Sequence, residues 1–257
     1  MKKFIILFGL LVLMQTSSNA QICCGFESCF SLMGQFGISA GYGIQGYSAD
    51  GFNAYIEHYN RKRTATLTKQ MGEFGSAQVF WFGGKLFQYY LSESRMLINS
   101  RIFMQFTNEK EYAAAGSAKR EFTVNTSTLG FGFGLNYVFS ENMDFKIVEL
   151  YGTMTTAGLK NELIDPANGN TKQELESPEA SFGATVYTGF VYYPLPPNIG
   201  LELNLGYSFF DVPEMQFKSG GAYLQVNEDT ARRMDNFISG GGFTIQAVLT
   251  VAFGVDF

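Results

Sequence analysis

Three features of the sequence predict an all-β chain. Eight segments alternate with a period of two, the connections between them are short and long in turn, and aromatics and glycines abound without any long apolar run. The architecture they predict is an eight-stranded antiparallel up-and-down transmembrane β-barrel, with long extracellular loops and a short helix in the first loop.

The segment from Phe243 to Phe257 shows the period most clearly. Its odd positions are Phe243, Ile245, Ala247, Leu249, Val251, Phe253, Val255 and Phe257. Its even positions are Thr244, Gln246, Val248, Thr250, Ala252, Gly254 and Asp256. One face is apolar and the other small or polar, as in a strand between two different environments. In a membrane barrel the first face meets lipid and the second meets the lumen. Aromatics make up 16% of the chain, with 26 Phe, 14 Tyr, 29 Gly and 6 Pro, which suits strands in a barrel wall. Beyond the N-terminal leader no stretch holds about eighteen consecutive apolar residues, which excludes a helical membrane protein.

At the N-terminus, Lys2 and Lys3 precede an apolar run from Phe4 to Leu13, and Ser18-Asn19-Ala20 stands before Gln21. Residues 1–20 therefore read as an export signal cleaved after Ala20. The apolar run is too short to span a bilayer comfortably. The formal net charge is −5, and losing the leader's two lysines makes it more negative. An acidic chain argues against a nucleic-acid partner.

Residues 21–35 read as a periplasmic segment carrying Cys23, Cys24 and Cys29. In an oxidising compartment the expectation is one disulfide involving Cys29, with Cys24 as candidate partner and one thiol left over. Adjacent cysteines seldom bond each other without strain. A metal site would need a fourth ligand nearby, which the segment lacks, and no cofactor is expected.

The barrel itself is expected over residues 36–257. The first strand, from about Phe36 to Tyr47, sets Phe36, Ile38, Ala40, Tyr42 and Ile44 against Gly37, Ser39, Gly41, Gly43 and Gln45. The second, about Ala77 to Leu91, sets Phe80, Phe82 and Leu86 against Trp81, Lys85 and Tyr89. The third, about Met96 to Phe106, sets Ile98, Ile102 and Met104 against Asn99, Arg101 and Gln105. The fourth, about Thr123 to Phe139, sets Leu129, Phe131, Phe133 and Leu135 against Gly130, Gly132, Gly134 and Asn136. The fifth, about Met143 to Met154, carries apolar residues on both faces. The sixth, about Ser181 to Tyr193, and the seventh, about Ile199 to Phe210, alternate again, the latter with Glu202 and Asn204 on its polar face. The terminal segment is the eighth.

Connections after strands two, four and six are short: 92–95, 140–142 and 194–198. Those after one, three, five and seven are long: 48–76, 107–122, 155–180 and 211–238. This rhythm describes an even-stranded barrel with short periplasmic turns. A soluble lipocalin-like barrel would put its apolar face inside. Here the other face is too small, too polar and too poor in charge to be a soluble surface.

On these grounds the chain resembles the small eight-stranded outer-membrane barrels of the OmpA and OmpX type, including the group with PorT-like proteins. The resemblance rests on the export signal, the strand rhythm and the terminal Phe257. It implies export to the outer membrane of a Gram-negative bacterium and contact with outer-membrane lipid. It also implies that Phe257, with Val255, Phe253 and Val251 behind it, is read by the barrel-assembly machinery.

Several charges fall inside predicted strands. Lys85, Arg101 and Glu202 lie on lumen faces, and Glu149 is assigned there because a carboxylate at lipid depth is disfavoured. An eight-stranded barrel is filled by its side chains. The four read as a salt-bridge plug, or more sharply as a gate or proton-linked site, and each is expected to have a partner.

In loop one, Phe52, Tyr55, Ile56 and Tyr59 have the spacing of an amphipathic helix, with Asp50 as its cap and Arg61, Lys62 and Arg63 at its C-terminal end. Such a helix either lies over the barrel mouth or presents its aromatics to an outer-membrane protein partner. Asp165 to Gly169 in loop three reads as a hairpin turn. Loop four receives no structural assignment.

His58 is the only histidine. A serine–histidine mechanism would need it beside a serine and a carboxylate, and a lone histidine on a helical loop is more often a surface residue. No glycine-rich phosphate loop and no Asp-x-Asp calcium loop is present. The expected function is non-enzymatic: a structural or partner-binding barrel working through its loops, alone or in a larger complex. A narrow pore is the alternative, and a lipid-modifying enzyme ranks third.

Overall fold

The computed structural model describes residues 35–91, 94–196 and 198–254. The expected export signal, the segment with Cys24 and Cys29, and the terminal Val255 and Phe257 lie outside the described residues.

Eight long strands form a closed antiparallel ring. They are β1 (Gln35–Gly46), β2 (Ser76–Leu91), β3 (Met96–Ala115), β4 (Ala118–Ser140), β5 (Met143–Ile164), β7 (Ser181–Leu195), β8 (Ile199–Phe209) and β10 (Phe243–Gly254). Each pairs with the next in this order, and β10 pairs with β1 to close the ring. Closure leaves no free edge at membrane depth, so backbone groups there are paired without water. Two short strands, β6 (Thr171–Glu176) and β9 (Gln216–Phe217), extend the sheet beside β5 outside the ring.

The two faces follow the sequence period. Ile38, Phe182 and Phe243 are 62%, 77% and 76% exposed, and similar side chains encircle the barrel from Phe80 and Phe131 to Leu203 and Leu249. A contiguous apolar belt of that extent exceeds what a soluble monomer tolerates. It is the lipid-facing band of a membrane-spanning barrel of the outer-membrane type. Val251 and Phe253 of β10 lie on this outward face, and Phe253 is 54% exposed.

Two expectations about connections need correction. The long loop expected at 107–122 is a ladder, continuous from Met96 opposite Tyr137 to Ala115 opposite Ala118. It ends in a two-residue turn where Gly116 adopts φ +58°, a left-handed geometry that glycine adopts at little cost. β5 likewise runs past its expected end at Met154 to Ile164, where it forms the hairpin expected in loop three, turning through Asp165–Gly169 to pair with β6. Above the bilayer the outer face of a strand meets water instead of lipid and turns polar, while Phe122, Val124, Leu159 and Leu175 on the inner face meet the cap. The hydrophobic period fades there while the hydrogen-bonded ladder goes on.

The one helix among the described residues, α1 (Asp50–Lys62), sits in the first long connection. Its N-cap is Ala49, without a side-chain cap. Asp50 instead accepts hydrogen bonds from the hydroxyls of Ser48 and Ser239, which hold its carboxyl below the usual aspartate range, Ser239 foremost. It therefore ties the helix to the last long loop rather than capping its own turn.

Two asparagines seven residues apart anchor α1 to the chain that follows it. The Asn53 amide donates to the Phe74 carbonyl at 2.8 Å and accepts the Phe74 N–H at 2.8 Å. Asn60 does the same with Met71, at 2.9 and 3.0 Å. Asn53→Ala or Asn60→Ala should each lower the local stability of this region by about 1–3 kcal/mol, because each leaves backbone groups unpaired. Faster amide exchange at Phe74 or Met71, with the strand amides unchanged, is the expected readout.

Candidate functional site

The lumen is filled in layers. Along β3 from its short-turn end, the inward side chains are Asn99, Arg101, Phe103, Gln105 and Thr107, all buried. The ionic layer centres on Glu202. Arg101 donates to both of its oxygens, Nη1 to Oε2 and Nη2 to Oε1, each at 2.8 Å. Lys146 Nζ donates to Glu202 Oε2 at 2.6 Å, to Glu149 Oε2 at 3.2 Å and to Asn204 Oδ1 at 2.9 Å. The Tyr151 hydroxyl donates to Glu149 at 3.0 Å, and Thr250 donates to Glu202 at 2.6 Å. A fork-to-fork Arg–carboxylate pair is the strongest geometry available to such groups.

Of the four charges expected here, Arg101, Glu149 and Glu202 are thus brought together, and Lys85 is not. Lys85 is buried but donates to the Gln88 side chain at 2.7 Å, and no described carboxylate lies within ion-pair distance of it. The β2–β3 register shifts between Lys85 and Phe87, which turns Gln88 onto the same side as Lys85. Lys146 takes the place expected for Lys85. It was hidden by a second bulge, between Lys146 and Glu149, where β5 changes phase against β7. A bulge adds one residue to one strand and inverts the inward parity beyond it.

An aromatic layer follows. Trp81 stacks on Phe103 at 5.6 Å between centroids, Phe103 meets Tyr151 edge-on at 5.0 Å, and Tyr151 meets Tyr187 at 5.8 Å. The rings need glycine opposite them: a Cβ on Gly130 would overlap the Phe103 ring, and one on Gly206 the Tyr187 ring. Then comes an amide layer, with Gln246 donating to Gln105 at 2.8 Å and to the Tyr187 hydroxyl at 3.1 Å. A hydroxyl pair, Thr107 with Thr126 at 2.7 Å, lies above it.

Over this stack sits a cap with a hydrophobic core of its own. Phe52 is fully buried, with ring centroids of Phe237, Phe74, Phe122 and Tyr55 at 4.9, 5.1, 5.5 and 6.0 Å. Ile56, Tyr59, Met71, Met215, Met234 and Leu175 belong to the same cluster. This corrects one reading of loop one. Phe52, Tyr55, Ile56 and Tyr59 are buried against the protein's own loops, so they are not offered to a partner. Their partners from 212–238 have no hydrophobic period and could not be anticipated.

The polar face of α1 is bound to loop four. His58 Nε2 lies 2.8 Å from Asp229 Oδ2, Lys62 also pairs with Asp229, and Arg61 stands 3.4 Å from His58 Nδ1. The Asp229 carboxyl is held below the usual range by Lys62 first and His58 second. Glu228 bridges Arg63 at 2.7 Å and Arg120 at 3.2 Å. Burial raises the Glu228 pKa, but hydrogen bonds and charge from Arg63 and Arg120 outweigh it and the net shift is downward. These pairs therefore stabilise the folded cap at pH values above the ordinary glutamate range, and the contribution disappears as pH falls toward the depressed value.

No protein-family model matches the chain, and no curated protein matches it. Among solved structures it is similar to Ail, the attachment invasion locus protein of Yersinia pestis, in complex with the heparin analogue sucrose octasulfate. That match has 11% identity over 86% of this chain and 100% of that one, with a TM-score of 0.39. It is similar to the outer membrane protease OmpT of Escherichia coli, at 9% identity over 86% and 97%, with a TM-score of 0.42. It is also similar to a major outer membrane protein of Thermus thermophilus, at 12% identity over 85% and 99%, with a TM-score of 0.44. The barrel fold stands on the chain's own closed ladder and exposed belt.

Proposed function

We propose that this outer-membrane barrel is a closed, non-enzymatic platform whose ordered extracellular cap binds a partner. The observation that carries the reading is a loop assembly with its own buried core, built over a lumen packed from the ionic layer to the hydroxyl pair. Long loops folded around a core cost conformational entropy that a mere wall would not need to spend. Binding surfaces are commonly loops held by a rigid scaffold.

The other two readings have less support. His58 has a carboxylate partner in Asp229 and a cation, Arg61, at its other nitrogen, and no described serine hydroxyl bonds to its ring. A nucleophile and its base must lie within hydrogen-bond reach. A pore would need water where Arg101, Trp81, Phe103 and Gln246 pack. Under this proposal residues 1–20 direct export, and β10 through Phe257 guides insertion by the assembly machinery.

Two measurements test the platform. In planar bilayers the protein should give no steady single-channel openings, and sustained openings would contradict the closed lumen. A variant with 48–75 replaced by a short polar linker should fold as a barrel but lose its partner in detergent pull-downs. Retention of every partner by that variant would overturn the cap's role.

A further inference from the structure

The cap holds a cleft of about 360 Å³ between the end of α1 and the inner face of the β4–β5–β6 extension. Tyr59 and Arg63 line it from the helix side, and Arg120, Asn161 and Gln173 from the sheet side. The ladder sets these sheet residues side by side, since Asn161 lies opposite Gln173 on one flank and opposite Phe122 on the other.

The arginines are held in place. Arg63 and Arg120 lie over the Tyr59 ring, with their guanidinium carbons 4.4 and 4.9 Å from its centroid. Arg120 Nε donates to Asn161 Oδ1 at 3.0 Å, and Glu228 pairs with both arginines. Two guanidiniums face one carboxylate, so the cleft keeps an excess positive charge in a chain whose net charge is −5. Asn161 donates to the Gln173 carbonyl at 2.9 Å, which orients the Gln173 amide. Neither that amide NH₂ nor the Thr171 hydroxyl has a hydrogen-bond partner among the described residues. Leu163, 37% exposed, adds an apolar patch beside Tyr59.

We propose that this cleft binds an acidic sugar unit, its anionic group on Arg63 and Arg120 and its hydroxyls on Gln173 and Thr171. The inference rests on the cap being the working surface and names the class of ligand it takes there. Guanidinium forks suit carboxylate and phosphate alike. The volume falls at the lower end of the ~300–1,000 Å³ range of small-molecule sites. Leu163 presents the apolar surface that the C–H face of a sugar ring requires.

The test is ligand-observed NMR titration of the folded full-length barrel in detergent micelles, with glucuronate, glucose 1-phosphate and glucose as probes. At least one of the two acids should bind saturably, and glucose about 10-fold more weakly or not at all, the range expected for loss of a charged hydrogen bond. The tighter acid tells whether the natural source carries a carboxylate or a phosphate. Gln173→Trp fills the cleft from an exposed rim position and should abolish binding while the cap's trypsin resistance stays unchanged. Arg120→Gln should weaken it at least about 10-fold. No saturable binding of either acid, equal binding of glucose, or full binding by Gln173→Trp would overturn the assignment. If neither acid binds while partner capture still depends on the cap, the cleft assignment alone falls. If the acids bind but capture ignores the cap, the platform reading falls instead.

Discussion

Glu202→Leu should lower the stability of the folded barrel by about 3–5 kcal/mol, the usual cost of removing one partner from a buried ion pair. Glu202 receives both forks of Arg101, the Lys146 ammonium and the Thr250 hydroxyl. Without it two buried cations share Glu149, whose Oε1 lies 3.5 Å from Arg101 Nε. Leucine also leaves the Thr250 hydroxyl without its acceptor. The companion variant Arg101→Leu with Glu202→Leu keeps the Lys146–Glu149 pair and should recover a large part of the loss. Urea titration of vesicle-inserted protein, followed by Trp81 fluorescence, measures both. If the double variant is as unstable as the two single losses added together, the ion pair is not the source of the effect.

Phe52→Ala should cost a similar amount, about 3–5 kcal/mol, in a different place. The side chain is fully buried among four other rings, and its removal leaves a cavity between loop one, loop four and the upper end of β4. The ring of eight strands does not depend on Phe52, so the loss should appear in the cap alone. Trypsin should then cut within 61–69, which holds Arg61, Lys62, Arg63 and Lys69, while the barrel band survives. Cleavage of the barrel itself would show that cap and wall unfold together.

The fold was legible because lipid imposes a strict period on strands such as β8 and β10. In each, every second residue from Leu201 to Leu205 and from Phe243 to Phe253 is apolar and outward. What escaped has two physical causes. The bulge at Lys146/Glu149 changes the phase of β5, which blurs its two faces and leaves Lys146 unmarked by the period, and the bulge at Lys85/Phe87 turns Gln88 inward as the partner of Lys85. Above the membrane the outer face of a strand turns polar, so the lipid-imposed period stops near Phe106 and Thr123 although the β3–β4 ladder goes on. The helix in loop one could be seen in the spacing of Phe52, Tyr55, Ile56 and Tyr59. The direction of its apolar face could not, because Met215, Met234 and Phe237 come from a distant irregular segment. The acidic-sugar cleft was equally invisible, since Arg63, Arg120 and Gln173 come from three parts of the chain.

Trp81, the sole tryptophan, offers the most direct test of which side meets lipid. It is 2% exposed in the lumen layer, whereas its neighbour Phe82 is 52% exposed on the outer belt. In vesicles containing mid-chain brominated lipid, native Trp81 fluorescence should be quenched weakly. A Trp81→Phe, Phe82→Trp variant should be quenched strongly. Strong quenching of native Trp81 with weak quenching of the variant would mean that the apolar belt points inward, and the barrel described above would be inside out.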